Sequence, residues 1–395
     1  MSFDFDKTVD RRGTDSLKYD FAVQRGRPAD VLPLWVADMD FQSPPAVREA
    51  ISGLAVHGIF GYSDTGNDYF EIVADWFRRG FGWKPEAEWL IKTPGVVPSL
   101  ALAVRAFSEP GDAVLIQPPV YYPFYSVIRD NGRIIAESPL VRDKARYVID
   151  FSDFEDVIVK KNVRLFILCS PHNPVGRVWT REELKTMGDI CERHGVTVVS
   201  DEIHCDIVYP GSRHTIFADA CPSLVQNCVI CTAPSKTFNT AGLQLSNIFI
   251  PSPELRSRFQ LELDRFGYSQ PNQAGIAACK AAYAGGAEWL SELLVYLDHN
   301  RAYIRQFLEN EIPMISVTNS EGTYFAWLDF SGLGLSDGEL DRLVTEKANL
   351  WLDAGRIFGR EAGRGYQRLV YACQRATLEK ALESLKRAVR DTLKQ

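Results

Sequence analysis

The sequence predicts a two-domain α/β protein with a mostly parallel sheet buried under helices. Three observations carry the prediction. At 395 residues the chain is too long for one hydrophobic core, since single cores stop growing near roughly 250–300 residues. Between about residues 68 and 285, short apolar runs alternate with helix-like segments. From about residue 286 that alternation gives way to an α+β pattern.

In chain order, residues 1–45 are irregular and contain Pro33, Pro44 and Pro45. They read as an N-terminal arm belonging with the smaller domain. The first regular helix should start near Pro45, where a proline costs no intrahelical hydrogen bond. Helix-like periodicity follows at 68–80, 98–108, 121–131, 181–194 and 271–284. Between these segments lie the runs 113–116, 165–169, 196–200, 228–231 and 246–250. Each is apolar on both faces and most are β-branched, the pattern of strands covered by helices on both sides. These elements make a large domain over 46–285. A smaller α+β domain over 286–395 should hold a long helix at 287–310, strands within 315–318 and 322–329, a helix at 337–348, a glycine-rich turn at 359–365, a strand at 367–372 and a closing helix at 376–393.

Composition narrows the function. A net charge of −7 and the lack of any long basic run argue against a nucleic-acid partner. No apolar stretch reaches the roughly 20 residues of a membrane span. The acidic N-terminus lacks the apolar core of a signal peptide. Eight scattered cysteines suit free thiols in a reducing compartment, so the expected location is the cytoplasm. Cys228 and Cys231 are three apart on a predicted strand and face opposite ways, so they should be core residues; no metal site is expected.

In open α/β sheets ligands collect where strands end. Three polar motifs follow strand runs here: Ser170-Pro-His-Asn-Pro, Asp201 and Lys236. A lysine held in a turn after a buried strand can form a Schiff base with an aldehyde cofactor. A carboxylate such as Asp201 can keep a pyridine nitrogen protonated, so that the ring accepts electrons from a substrate carbon. Asn173 can donate to a phenolate oxygen. Tyr121 or Tyr122 offers a flat ring to stack on the pyridine. The turn at Gly95 enters a helix whose first amides, those of Val96 and Val97, suit a phosphate. Arg368, or alternatively Arg375, suits a substrate carboxylate. His204 lies three residues beyond Asp201, positioned to orient that acid or reach the phenolate side.

Together these motifs resemble the fold-type I pyridoxal-phosphate (PLP) enzymes of the class I/II aminotransferase superfamily. Within it, Leu34-Trp-Val-Ala-Asp-Met-Asp-Phe41, Thr93-Pro-Gly-Val-Val-Pro98, Ser170-Pro-His-Asn-Pro-Val-Gly-Arg-Val-Trp179, Ser200-Asp-Glu-Ile-His-Cys-Asp206 and Ala233-Pro-Ser-Lys-Thr-Phe-Asn239 resemble the MalY/PatB-type cystathionine β-lyases. The resemblance implies a large domain with a mostly parallel seven-stranded sheet between helices. It makes Lys236 the covalent anchor and proton shuttle, Asp201 the partner of the ring nitrogen, Asn173 and His204 neighbours of the phenolate oxygen, and Tyr121 the stacking ring. It puts the phosphate on Val96, Val97 and Ser235, and the substrate carboxylate on Arg368. Tyr62 would reach the cofactor of a second subunit, so a homodimer with active sites at the interface is implied. A cis Asn173–Pro174 bond is implied as well. Gln244 and Ala233 stand where aspartate aminotransferases carry a phosphate-gripping arginine and a serine, which shifts that grip towards backbone amides, Ser235, Tyr62 and Thr232.

The implied activity is α,β-elimination on an amino-acid thioether, cystathionine or a related cysteine S-conjugate, giving a thiol, pyruvate and ammonia. Two other readings share many of these residues. One is an aminotransferase, which differs only in where the removed proton is returned. The other is a protein of the same fold kept for regulation or interaction, which intact Lys236, Asp201, Asn173 and Arg368 argue against.

Overall fold

A computed structural model describes residues 2–394. Its main sheet has seven strands, in the spatial order Leu90–Thr93, Ser246–Phe249, Cys228–Thr232, Thr197–Asp201, Val163–Cys169, Ala113–Ile116 and Ile134–Glu137. Only Ser246–Phe249 runs antiparallel to its neighbours. The five apolar runs are all strands in this sheet. They are fully buried because helices cover both faces: Leu165, Ile167, Val199 and Val229 belong to one core cluster, whereas Phe166, Leu168, Val198 and Ile230 belong to the other. Cys228 and Cys231 fall in different clusters, on opposite sides of the sheet.

Two strands of this sheet are absent from the runs read in the sequence. Leu90–Thr93 and Ile134–Glu137 are its edges, and each is partly exposed. An edge strand covered on fewer sides does not need a continuous apolar run.

The helices begin where local chemistry stops the chain. Pro45 is the first residue of Pro45–His57, which ends on Gly58 at φ 74°. That left-handed conformation is one glycine adopts without a Cβ penalty. Thr180 and Glu183 form a reciprocal capping box on Arg181–Arg193.

A second, four-stranded antiparallel sheet follows the order Ser316–Val317, Phe325–Asp329, Tyr366–Val370, Asp353–Ala354. The closing helix Arg375–Leu393 buries Leu378, Leu382, Leu385 and Val389, a stripe at helical spacing. The helix expected at 337–348 is shorter. Asp337–Arg342 is α-helical, and Leu343–Lys347 widens into a π turn. The chain leaves it through Asn349, at φ 52°, to bring Leu350–Trp351 beside the arm. There Leu32–Pro33 pairs in parallel with Leu350–Trp351, and Trp35 stacks on Trp351 at 4.3 Å. This pair is a small sheet of its own, and the Val370 amide of the second sheet donates to the Leu34 carbonyl of the arm at 2.9 Å.

Candidate active site

Strand register builds the site. Cys169 lies opposite Asp201, and Asp201 lies opposite Cys231. Three parallel strands therefore end at one level, about 4.8 Å apart. Leu90–Thr93 and Ala113–Ile116 run in the same direction, so Gly95 and Tyr121 leave the sheet at that edge too. Five strand ends, rather than the three legible in the sequence, open on one cavity of about 180 Å³. Val96, Val97, Tyr121, Asn173, Asp201, His204, Ser235 and Lys236 all line it.

Lys236 sits in the single helical turn Pro234–Thr237 after the Cys228–Thr232 strand. Its Nζ donates to the Ala37 carbonyl at 2.8 Å. Burial pulls its pKa down to about 8, against the opposing pull of the Asp38 charge. Asp201 is buried, and among the described residues its side chain accepts one hydrogen bond, from the Ile203 amide at 3.2 Å. Burial pushes its pKa up to about 7, against the Ile203 bond and the Lys236 charge. A carboxylate left this short of partners favours a cation beside it.

Val96 and Val97 open the helix Val96–Phe107, and their amides have no acceptor among the described residues. The third helical residue is Pro98, which has no N–H. The nearby hydroxyls are engaged: Ser99 Oγ donates to the Gly95 carbonyl at 2.8 Å and lies 2.6 Å from Thr93 Oγ1. The two amides and the helix dipole are thus left for an anion. Ser235, Gln244 and Ser246 line the same cavity. Thr232 does not contribute: its Oγ1 donates to the Asn247 carbonyl at 2.9 Å, inside the sheet. That corrects the reading that gave Thr232 a share of the phosphate.

Asn173 follows the Val163–Cys169 strand, and its bond to Pro174 is cis. Arg368 Nη1 donates to Asn173 Oδ1 at 3.0 Å. Arg368 Nη2 donates to the Trp35 carbonyl at 2.8 Å and to Asp353. The guanidinium lies between the rings of Phe325 and Phe358, 4.5 and 4.9 Å from their centres. Its Nε is buried without a partner. Arg375 instead begins the closing helix with its guanidinium over Tyr303 at 4.5 Å, and it does not line the cavity. Tyr121 lines the cavity, whereas Tyr122 packs against Phe358. His204 is buried edge-on to Tyr324 and Phe325, with Nδ1 unpartnered and no bond to Asp201. Burial and the nearby Lys236 and Arg368 charges keep it neutral. Tyr62 is 98% exposed and lies outside this cavity.

The strap Ala37–Phe41 lies within one of the strings that carry the family resemblance, but the sequence assigns it no role in the site. It supplies the acceptor for Lys236, and Tyr324 Oη donates to the same Ala37 carbonyl at 3.0 Å. Its signal in the sequence is a pair of acids, Asp38 and Asp40, set among apolar residues of an otherwise irregular arm.

The cavity therefore joins a buried amine, a buried acid short of partners and an open amide pair. That donor set fits a phosphorylated pyridine aldehyde, with attachment at Lys236, ring nitrogen at Asp201 and phosphate at Val96 and Val97.

The chain belongs to the aminotransferase class I and II family, whose model matches residues 29–385. It is 44% identical to cystathionine beta-lyase PatB of Bacillus subtilis over 385 residues, 98% of this chain and 99% of that protein. It is 35% identical to protein MalY of Escherichia coli, again over 98% of this chain and 99% of that protein. A PLP-bound putative aminotransferase from Clostridium difficile has the same fold, with a TM-score of 0.95, 39% identity and coverage of 98% of this chain and 100% of that chain.

Proposed function

We propose that the protein is a PLP-dependent carbon–sulfur β-lyase. It cleaves L-cystathionine, and cysteine S-conjugates like it, to a thiol, pyruvate and ammonia. The observation that carries the reading is the convergence of Lys236, Asp201 and the Val96–Val97 amides in one cavity, in a chain related to PatB over nearly its whole length.

When bound, PLP supplies an aldehyde for covalent attachment and a cationic ring that takes up the electron pair left at the substrate α-carbon. The rest is work for the chain. Lys236 anchors the cofactor, then its freed amine removes the α-proton and carries it to the leaving sulfur. An amine whose pKa is drawn towards neutrality is suited to both halves of that transfer. Asp201 keeps the ring nitrogen protonated. Tyr121 holds the ring plane, and Asn173 and neutral His204 flank the ring oxygen. The Val96 and Val97 amides with Ser235 hold the phosphate. Arg368, already aimed by Asp353 and Trp35, takes the substrate carboxylate through the Nη1 and Nε side.

We also propose a homodimer. Tyr62 stands with Phe60 and Ile59 on an exposed apolar stretch, and a second copy of the chain covering it would bring Tyr62 to the partner's phosphate. We divide the chain into a cofactor-binding unit, 46–285, and a unit made of 286–395 with the arm 1–45. The eight buried, unpaired cysteines fit a reducing cytoplasm.

Arg368→Ala is expected to lower kcat/KM on the order of 10²–10³-fold, the effect of removing one partner of a buried charge pair. The cofactor should stay bound. Arg375→Ala should change kcat/KM less than about twofold, and the reverse ranking would move the carboxylate site to Arg375. The reaction itself is tested by incubating the holoenzyme with L-cystathionine, with and without an added 2-oxo acid. A lyase releases pyruvate and thiol in equal amounts without the oxo acid. Turnover that starts only when the oxo acid is added would make the protein an aminotransferase.

A further inference from the structure

The Ala37–Phe41 strap is held by a partly buried ionic cluster built from the N-terminal arm. Arg11 reaches Asp38 with both terminal nitrogens, Nη1 to Oδ1 at 3.0 Å and Nη2 to Oδ2 at 2.6 Å. Its Nη1 also meets Asp40 Oδ1 at 2.8 Å. Lys18, fully buried, donates to Asp40 Oδ2 at 2.9 Å and lies 3.6 Å from Asp38 Oδ1. Tyr19 Oη donates to Asp40 Oδ2 at 3.0 Å.

A second set of bonds ties the strap to the turn that carries Lys236. Asn239, three residues beyond that lysine, accepts from the Met39 amide at 3.0 Å. Its Nδ2 donates to the Met39 and Phe41 carbonyls at 3.0 and 2.8 Å. The strap and the lysine turn are thus bonded directly to each other. Between them lies the 2.8 Å contact from Lys236 Nζ to the Ala37 carbonyl.

We infer that Asp38 is a positioning residue: clamped by Arg11 and Lys18, it aims the Ala37 carbonyl at the Lys236 nitrogen. The inference rests on the reading of Lys236 as the group that moves the α-proton. An ionic cluster, whether exposed or buried, contributes little net stability, so this one is better explained by what it orients. Its two acids balance its two bases, and the charge seen by Lys236 depends on how fully Arg11 neutralises Asp38. The charged groups that face Lys236 are Asp38 and Asp201, which favour its cation, and Arg368, which opposes it.

The arrangement predicts shifts of opposite sign. Asp38→Asn removes the charge and keeps the shape, so the Lys236 nitrogen should lose its proton at lower pH. Arg11→Gln leaves Asp38 less neutralised, so it should lose its proton at higher pH. Each shift is expected to be about one pH unit, the lower end of what a near charge produces. Two readouts on the holoenzyme apply. One is the acidic limb of the kcat profile, and the other is the pH dependence of bound-cofactor absorbance without substrate. KM should change less than about twofold. Shifts in the same direction for both variants, or none in either readout, would overturn the assignment and leave the cluster a structural fastening. If Asp38→Asn does not fold, the upward shift in Arg11→Gln decides alone. The absorbance readout needs no turnover, so it separates failure of the clamp from failure of the lyase reading.

Discussion

Lys236→Ala should lose carbon–sulfur lyase activity on the order of 10⁴-fold or more, because the variant lacks both the covalent anchor and the proton carrier. His204 and Asp201, the nearest alternatives lining the cavity, are poorly suited to take over. His204 is buried and neutral, with a pKa far below its ordinary value. Asp201 belongs at the ring nitrogen. Folding should survive, since burial already disfavours the lysine charge and alanine leaves no unpaired ion behind. Steady-state pyruvate release checks the activity, and thermal melting of the same preparation checks the fold. A folded variant that keeps a tenth of the parent rate would remove Lys236 from the mechanism.

Asp201→Asn should lower the rate about 10²–10³-fold, the usual cost of removing one preorganised electrostatic partner. The amide matches the carboxylate in size but cannot hold a proton on the ring nitrogen. Covalent attachment at Lys236 should persist, which separates this variant from Lys236→Ala. The same change carries a stability prediction of known sign. An ordinary aspartic acid has its pKa near 3.8, and in the fold Asp201 is raised to about 7. Between those values the unfolded chain has released the proton and the folded chain holds it. The stabilisation is complete below about pH 4 and drains away as pH rises through 7. Cofactor-free Asp201→Asn should therefore melt higher than its parent at pH 8, by an amount on the order of a few kcal/mol, and match it near pH 4. A variant that melts lower at pH 8 would mean the carboxylate is not buried short of partners.

Much of this was legible in the chain, for identifiable reasons. Strands covered on both faces must be apolar on both faces, so Thr197–Asp201 and Cys228–Thr232 stood out, and the polar residues at their ends stood out against them. The two edge strands did not. Ile134, which opens its strand, is 56% exposed, and Glu137, which closes it, is exposed too, a pattern that reads as loop. The helices Phe151–Lys161 and Pro253–Phe266 were also passed over. Their start signals were present, however: Asp150 caps the first, and Ser252 followed by Pro253 caps the second. Within the site, residue types pointed to chemistry but not to competing hydrogen bonds. Thr232 has the right hydroxyl, and only the antiparallel neighbour carrying Asn247 shows that it is taken. The Ala37 carbonyl is invisible to any reading of side chains, since its role depends on how the arm folds back over a turn 199 residues away.

The account stands on a cofactor carried by Lys236, and hydride reduction tests that most directly. Borohydride treatment of the holoenzyme fixes an aldehyde cofactor irreversibly on the amine that holds it. Peptide mapping should then find the pyridoxyl group on Lys236, within Ala233–Asn239, with the long-wavelength absorbance lost in step. A label on a different lysine, or a fully reduced protein with none, would contradict it.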